Sequence, residues 1–203
     1  MIAAGLSQRS YAMPAGALNS IGPVATITAQ KKTCWCWAAV ITSIVAARSA
    51  PPVPTYTDQA EFAFQAYSVG FQPPSKSDCD SSDDSLCNDA MPPPRIAGIG
   101  VTSPLSIAGI ATAPPQRTDS SITDAEILGA LSTGKAVCIV IAWGSNQWHF
   151  VAIVGAAVVN GVQQYLVGDP IDGSGNWFDR AGLGAYHSHA GSNGTWGDTY
   201  VTI

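Results

Sequence analysis

Charge is the scarcest property of this chain. Only 11% of its 203 residues are Asp, Glu, Lys or Arg, and nine basic residues against fourteen acidic ones leave a formal charge of −5. Beyond Lys31-Lys32 the basic residues do not cluster, so the electrostatic footprint of a nucleic-acid partner is missing and that class is excluded. No run of eighteen apolar residues occurs, so the sequence predicts no membrane span. The first thirty residues carry Arg9 as their one cation and are interrupted by Pro14, Gly16 and Pro23, which lacks the basic start and apolar centre of a Sec signal. The expectation is a cytoplasmic protein, one exported by a route that needs no signal peptide, or a chain whose signal has been removed. Histidine is equally sparse, at three residues. His187 and His189 stand at strand-like spacing with no carboxylate beside them and read as an exposed loop, and no Cys or His grouping has zinc-ligand spacing, so neither metal nor cofactor is expected.

What is present is a core. Apolar residues make up 46% of the chain, enough for one compact domain, expected as a monomer. Residues 1–26, rich in Ala, Gly, Ser and Pro without periodicity, read as an arm or leader ahead of a domain over 27–203. A helix over 36–47 is apolar nearly all round and must be central, and Pro51, Pro52 and Pro54 end it. A second helix runs over about 58–68, with Asp58 and Glu61 as a capping pair and Ala60, Phe64 and Tyr67 on one face. Residues 70–117 form a long proline-rich loop of the kind that walls a cleft. Thr123 and Glu126 make a capping box for a third helix that Gly134 stops. β-branched runs follow over 136–143, 148–159 and 163–167. Helices first and antiparallel strands second give an α+β fold, with an N-terminal helical part packed on a C-terminal antiparallel sheet.

Five cysteines cannot all pair within one chain, so at least one is unpaired. Cys36 is the natural choice. At the first turn of a helix a thiol meets the positive end of the macrodipole and free backbone N–H groups, and both favour the thiolate. Gln30, six residues upstream, can fold its amide back beside that sulfur and, with the Cys36 N–H, donate to an oxyanion. Cys79 and Cys87 bracket a polar loop that a disulfide can close. Cys34 lies two residues before Cys36, and Cys138 sits in an apolar strand as packing.

The stretch Gln30 to Ala39, with Gln six residues before Cys36 and Trp37 directly after it, resembles the active-site helix of papain-like cysteine peptidases. Gln147-Trp148-His149-Phe150 and Gly168-Asp169-Pro170 resemble the His strand and Asp-Pro turn of short bacterial members, which include effector proteases of plant pathogens and leader-cleaving peptidases of bacteriocin exporters. The resemblance spans roughly residues 27–173. It implies a papain-like fold and a thiol protease with Cys36 as nucleophile, His149 as general base, Asp169 as its orienter and Gln30 as oxyanion donor. The substrate would be a peptide or protein, with the chain's own N-terminal arm a further candidate, and export as an effector would follow. Trp148 and Trp37 are candidates for the substrate groove, with core the favoured place for Trp37. Two rivals share the same residues: an acyl transferase or deamidase of transglutaminase-like chemistry, and an idle module that only binds peptides.

Register tests the triad independently. A two-residue turn at Asn160-Gly161 sets Asp169 opposite Ala152, on the face away from His149, and would exclude the triad. A three-residue loop of Val159, Asn160 and Gly161 sets it opposite Val151 instead, diagonal to His149 at roughly 7–8 Å between Cα atoms. The triad therefore predicts the longer, bulged turn.

Overall fold

A computed structural model describes residues 11–48, 58–70, 79, 88, 104–110, 122–143, 147–186 and 194–202. In chain order these form β1 (Leu18–Ile21), α1 (Cys36–Ala47), α2 (Gln59–Gly70), α3 (Pro104–Ile107), α4 (Asp124–Ser132), β2 (Val137–Ala142), β3 (Trp148–Val159), β4 (Val162–Asp169), β5 (Ser174–Asp179), α5 (Arg180–Gly184) and β6 (Thr195–Val201). The architecture is α+β, with the early helices packed on a C-terminal antiparallel sheet.

The strands lie in the order β5-β4-β3-β2-β6. β3 is twelve residues long and β2 only six, so β2 covers the first half of one edge of β3 and β1 pairs with the second half, Leu18 opposite Val158 and Ile21 opposite Ala156. Residues 11–26 are accordingly laid along the domain. Tyr11 hydrogen-bonds through its hydroxyl to both the carbonyl and the N–H of Ile27; its ring lies where a Cβ at Gly175 would be, and a Cβ at Gly168 would strike the Ile27 side chain and the Tyr11 hydroxyl.

The sheet is covered on both faces. On one, α1, α2 and α3 pack through Trp37, Ile41, Phe62 and Leu105 onto Cys138, Val140, Phe150, Ala152 and Val154. On the other, Ile127 and Leu131 of α4 and Leu183 of α5 close over Val137, Ile139, Val151, Ile153, Tyr165 and Val167. Double coverage explains why β2 and β3 read as continuous apolar runs. α1 is buried from Trp37 through Val45, so truncating Ile41 to Ala would cost about 2–5 kcal/mol. In α2 the inward face carries Ala60, Ala63 and Tyr67 as well as Phe62, while Phe64 is only partly buried. The helix is flanked on more than one side, which widens the apolar stripe and shifts it from the expected Ala60-Phe64-Tyr67 line. α4 carries both halves of its capping box. The expected cleft-walling loop lies largely outside the described residues.

The hairpin joining β3 and β4 corrects the sequence expectation. Val159 pairs with Val162, so the turn is the two-residue one, with Asn160 (φ 51°) and Gly161 (φ 80°) both left-handed as a type I′ turn requires. The extra residue sits inside β3. Gly155 pairs with Leu166 and Ile153 with Val167, leaving Val154 as a β-bulge. Beyond it Ala152 pairs with Gly168, and the next step of the same register sets Asp169 opposite Val151. Burial records the phase change, since Val151, Ile153 and then Ala156 face the same core. A bulge anywhere between turn and dyad shifts the phase equally, and Asn-Gly favours the tight turn, so the insertion moved into the strand.

Candidate active site

The sheet supplies the imidazole and the carboxylate. His149 is the second residue of β3 and Asp169 closes β4, and the bulge puts both on one face. His149 Nε2 lies 2.7 Å from Asp169 Oδ1, with both side chains buried. Asp169 Oδ1 also accepts the Ile171 N–H (2.9 Å), and Oδ2 accepts the Tyr186 hydroxyl (2.8 Å). With Nε2 occupied by Asp169, Nδ1 is the ring nitrogen available to Cys36. The Trp143 ring lies 5.8 Å from the imidazole and 6.1 Å from Tyr186, whose other neighbour is Phe178 at 5.1 Å.

Electrostatics follow from that enclosure. Burial alone would lower the His149 pKa, but hydrogen bonds to Asp169 and Cys36, with the charges of both, outweigh it and carry the ring up to about 9. Burial would raise Asp169, yet His149, the Ile171 N–H and the Tyr186 hydroxyl hold its carboxyl below the usual carboxylate range. The Cys138 thiol is pushed up to about 12 by burial, which suits a packing residue.

The turn ahead of α1 is built from side-chain amides. Cys36 is the first residue of α1, half-buried and unoxidised, and Trp35 at the N-cap gives the helix start no side-chain cap. The opening N–H groups are therefore not taken by a capping side chain. Gln59 of α2 accepts the Lys31 N–H (2.8 Å) and donates to the Ala29 carbonyl (2.8 Å). Asn88 accepts the Cys34 N–H (3.0 Å) and donates to Thr33 Oγ1 (2.8 Å). The Gln30 N–H reaches the Pro170 carbonyl at 2.6 Å, which ties this turn to the one that follows Asp169. Fully buried Trp35 lies beneath the Lys32 ammonium, 5.1 Å from its ring centre.

Gln30 is held by the turn itself. Its Nε2 donates to the Lys32 carbonyl (2.9 Å) and the Thr33 carbonyl (2.7 Å), and its Oε1 is buried without a hydrogen-bond partner. Both amide hydrogens brace the turn, where the two carbonyls converge on them. Trp37 is a core residue, 4% exposed, with its ring against Phe62 and Tyr67. Trp148, next to His149 in the chain, is 38% exposed, and Ile171, two residues after Asp169, is 39% exposed.

Cys79 is disulfide-bonded, and its expected partner Cys87 lies outside the described residues; Cys34 and Cys138 are free thiols. His187 and His189 also lie outside them. Among the described residues no group of three His, Cys, Asp or Glu side chains could hold a metal, and no helix is long and apolar enough to cross a membrane. Sequence reasoning missed Gln59, Asn88 and Tyr186. Neutral amides and a tyrosine carry no spacing signal, and the three come from separate segments.

No family model matches the chain, and no curated protein matches it. Among solved structures, a chain from a study of antibody cross-reactivity between the mite allergens Blo t 1 and Der p 1 is similar at 12% identity and a TM-score of 0.42, covering 96% of this chain and 73% of that one. A likeness that distant fixes neither fold nor activity.

Proposed function

We propose that this chain is a cysteine peptidase of papain-like type, with Cys36 as nucleophile, His149 as acid and base, and Asp169 as orienter. The observation that carries the reading is the buried His149–Asp169 pair at 2.7 Å, whose imidazole pKa is raised by Asp169 and by the Cys36 thiol at the start of α1. An imidazole that keeps its proton up to about 9 is suited to accept one from Cys36 at neutral pH. The sulfur then attacks a peptide carbonyl. The oxyanion meets the Cys36 N–H at the uncapped helix start. Collapse of the tetrahedral adduct breaks the C–N bond, His149 returns the proton to the leaving amine, and a thioester remains. Water, deprotonated by His149, hydrolyses the thioester and regenerates the thiol.

Gln30 serves as second oxyanion donor by releasing one of its two turn carbonyls when substrate arrives. The groove for peptide or protein substrate runs past Trp148 and Ile171, exposed apolar side chains close in the chain to His149 and Asp169. The test is incubation of wild type and Cys36→Ala with a mixed peptide library, followed by mass spectrometry. Cleavage by wild type alone is expected. Products retaining their length but gaining an amine, or losing ammonia, would replace peptidase by acyl transfer or deamidation, and no Cys36-dependent product would end the reading.

A further inference from the structure

The dyad is held at three corners, and the third is unexplained by the chemistry so far. Asp169 Oδ1 already serves His149 and the Ile171 N–H, yet Oδ2 accepts a separate hydrogen bond from Tyr186. Tyr186 is fully buried just beyond α5, and its ring is fixed between Phe178 of β5 and Trp143, which in turn lies against His149. A phenol in that cage has little freedom to turn. We propose that Tyr186 is a positioning residue of this site, its hydroxyl fixing the Asp169 carboxylate so that His149 keeps Nε2 toward Asp169 and Nδ1 toward Cys36. The role rests on the peptidase reading above.

The physical case is one of satisfaction. A buried carboxylate oxygen without a donor is costly, and such a group relieves the cost by taking up a proton or by rotating. Either escape would disengage Nε2 and free the imidazole to turn. Tyr186 closes both. Its own ionisation is suppressed, since burial and the neighbouring charges of Asp169 and Asp172 push its pKa far up, so it remains a donor through the working range. The other titratable groups around Asp169 are His149 from β3, Tyr11 from the N-terminal arm, Asp172 from the adjoining turn and, through the imidazole, Cys36.

The test needs no substrate. Iodoacetate alkylates a thiolate and its anion is drawn to a neighbouring imidazolium, so its rate at Cys36 falls as His149 loses its proton. Site-resolved mass spectrometry follows Cys36 apart from Cys34. In wild type the alkaline limb should fall near 9 and vanish in His149→Ala. Tyr186→Phe keeps the ring and, with its unfolding transition checked, should move the limb down by about one pH unit, a tenfold weaker hold on the proton. In an Asp169→Asn background the same change should move nothing further. Fluorotyrosine at position 186, a stronger donor of nearly the same shape, should move the limb up, and it decides the matter if Tyr186→Phe does not fold. An unmoved limb in folded Tyr186→Phe, or an equal shift with Asp169 already changed, overturns the role of Tyr186 alone. A wild-type limb independent of His149 overturns the peptidase reading as well.

Discussion

The two halves of the candidate site are held in place by different means. His149 and Asp169 are set by backbone: adjacent strands, one bulge at Val154, and a buried environment on every side. Cys36 is set by a polar turn whose geometry depends on individual amides, Gln30, Gln59 and Asn88. A register cannot be lost in part, because a one-residue slip turns every side chain to the opposite face. A turn held by separate hydrogen bonds can be loosened one bond at a time. The sheet half should therefore respond to mutation in an all-or-none way and the turn half in graded steps.

The largest effects test the reacting groups themselves. Cys36→Ala and His149→Ala should each lower turnover by about ten-thousandfold or more; Cys36→Ala should leave the unfolding transition nearly in place, whereas His149→Ala, which strips the buried Asp169 carboxylate of a partner, should lower it. Measurable turnover in either variant would contradict the assignment. Asp169→Asn should be milder, near a hundredfold. The amide Oδ1 still accepts from Nε2, but the charge that supports the imidazolium is gone. Loss equal to that of His149→Ala would mean that orientation fails outright.

Gln30 separates the halves more finely. Deleting an oxyanion donor commonly costs a hundredfold or more, but Gln30 must first leave the Lys32 or Thr33 carbonyl. Its net gain is the difference between a charged and a neutral acceptor, on the order of 1–1.5 kcal/mol, so Gln30→Ala should lower kcat by about tenfold with KM little changed. A hundredfold loss would show that the carbonyls compete less than their distances imply. Asn88→Ala should cost less again, a few-fold in kcat, because the Cys34 N–H and Thr33 hydroxyl can turn to water. If Asn88→Ala matched Asp169→Asn in severity, the distinction between register and turn would collapse.

The same distinction governs what was legible in the sequence. Local signals read correctly: the capping box at Thr123, the apolar helix over 36–47, and the β-branched runs of β2, β3 and β4. β1, β5 and β6 escaped, because Leu18–Ile21, Ser174–Asp179 and Thr195–Val201 are short or interrupted by Gly, Asn and Ser and become strands only through partners. The dyad's face was legible once a phase shift was required, although the shift's location was not: Val154 looks like any strand residue. The hydrogen bonds of Gln30 were illegible for the opposite reason. Its spacing to Cys36 is a sequence fact, whereas the carbonyls that accept from its amide come together only after the turn has closed.

The smallest expected effect is on stability, and it asks whether the sheet half is coupled to protons as tightly as its geometry implies. His149 has a folded pKa near 9, above the ordinary value of 6.5, so the stability it contributes is complete below about 6.5 and disappears as pH rises through 9. Asp169 is depressed, so its contribution is complete above the ordinary carboxylate value and is lost as pH falls through the folded one. Their overlap leaves the pair most stabilising in mildly acidic solution. Thermal unfolding followed from about pH 6 to 9 should show Tm falling by a few degrees, and the slope should flatten in His149→Ala. Asn88→Ala should leave the slope unchanged, since its hydrogen bonds with the Cys34 N–H and Thr33 Oγ1 involve no titrating group. A slope that survives His149→Ala would assign the protons elsewhere and leave the dyad held by backbone register alone.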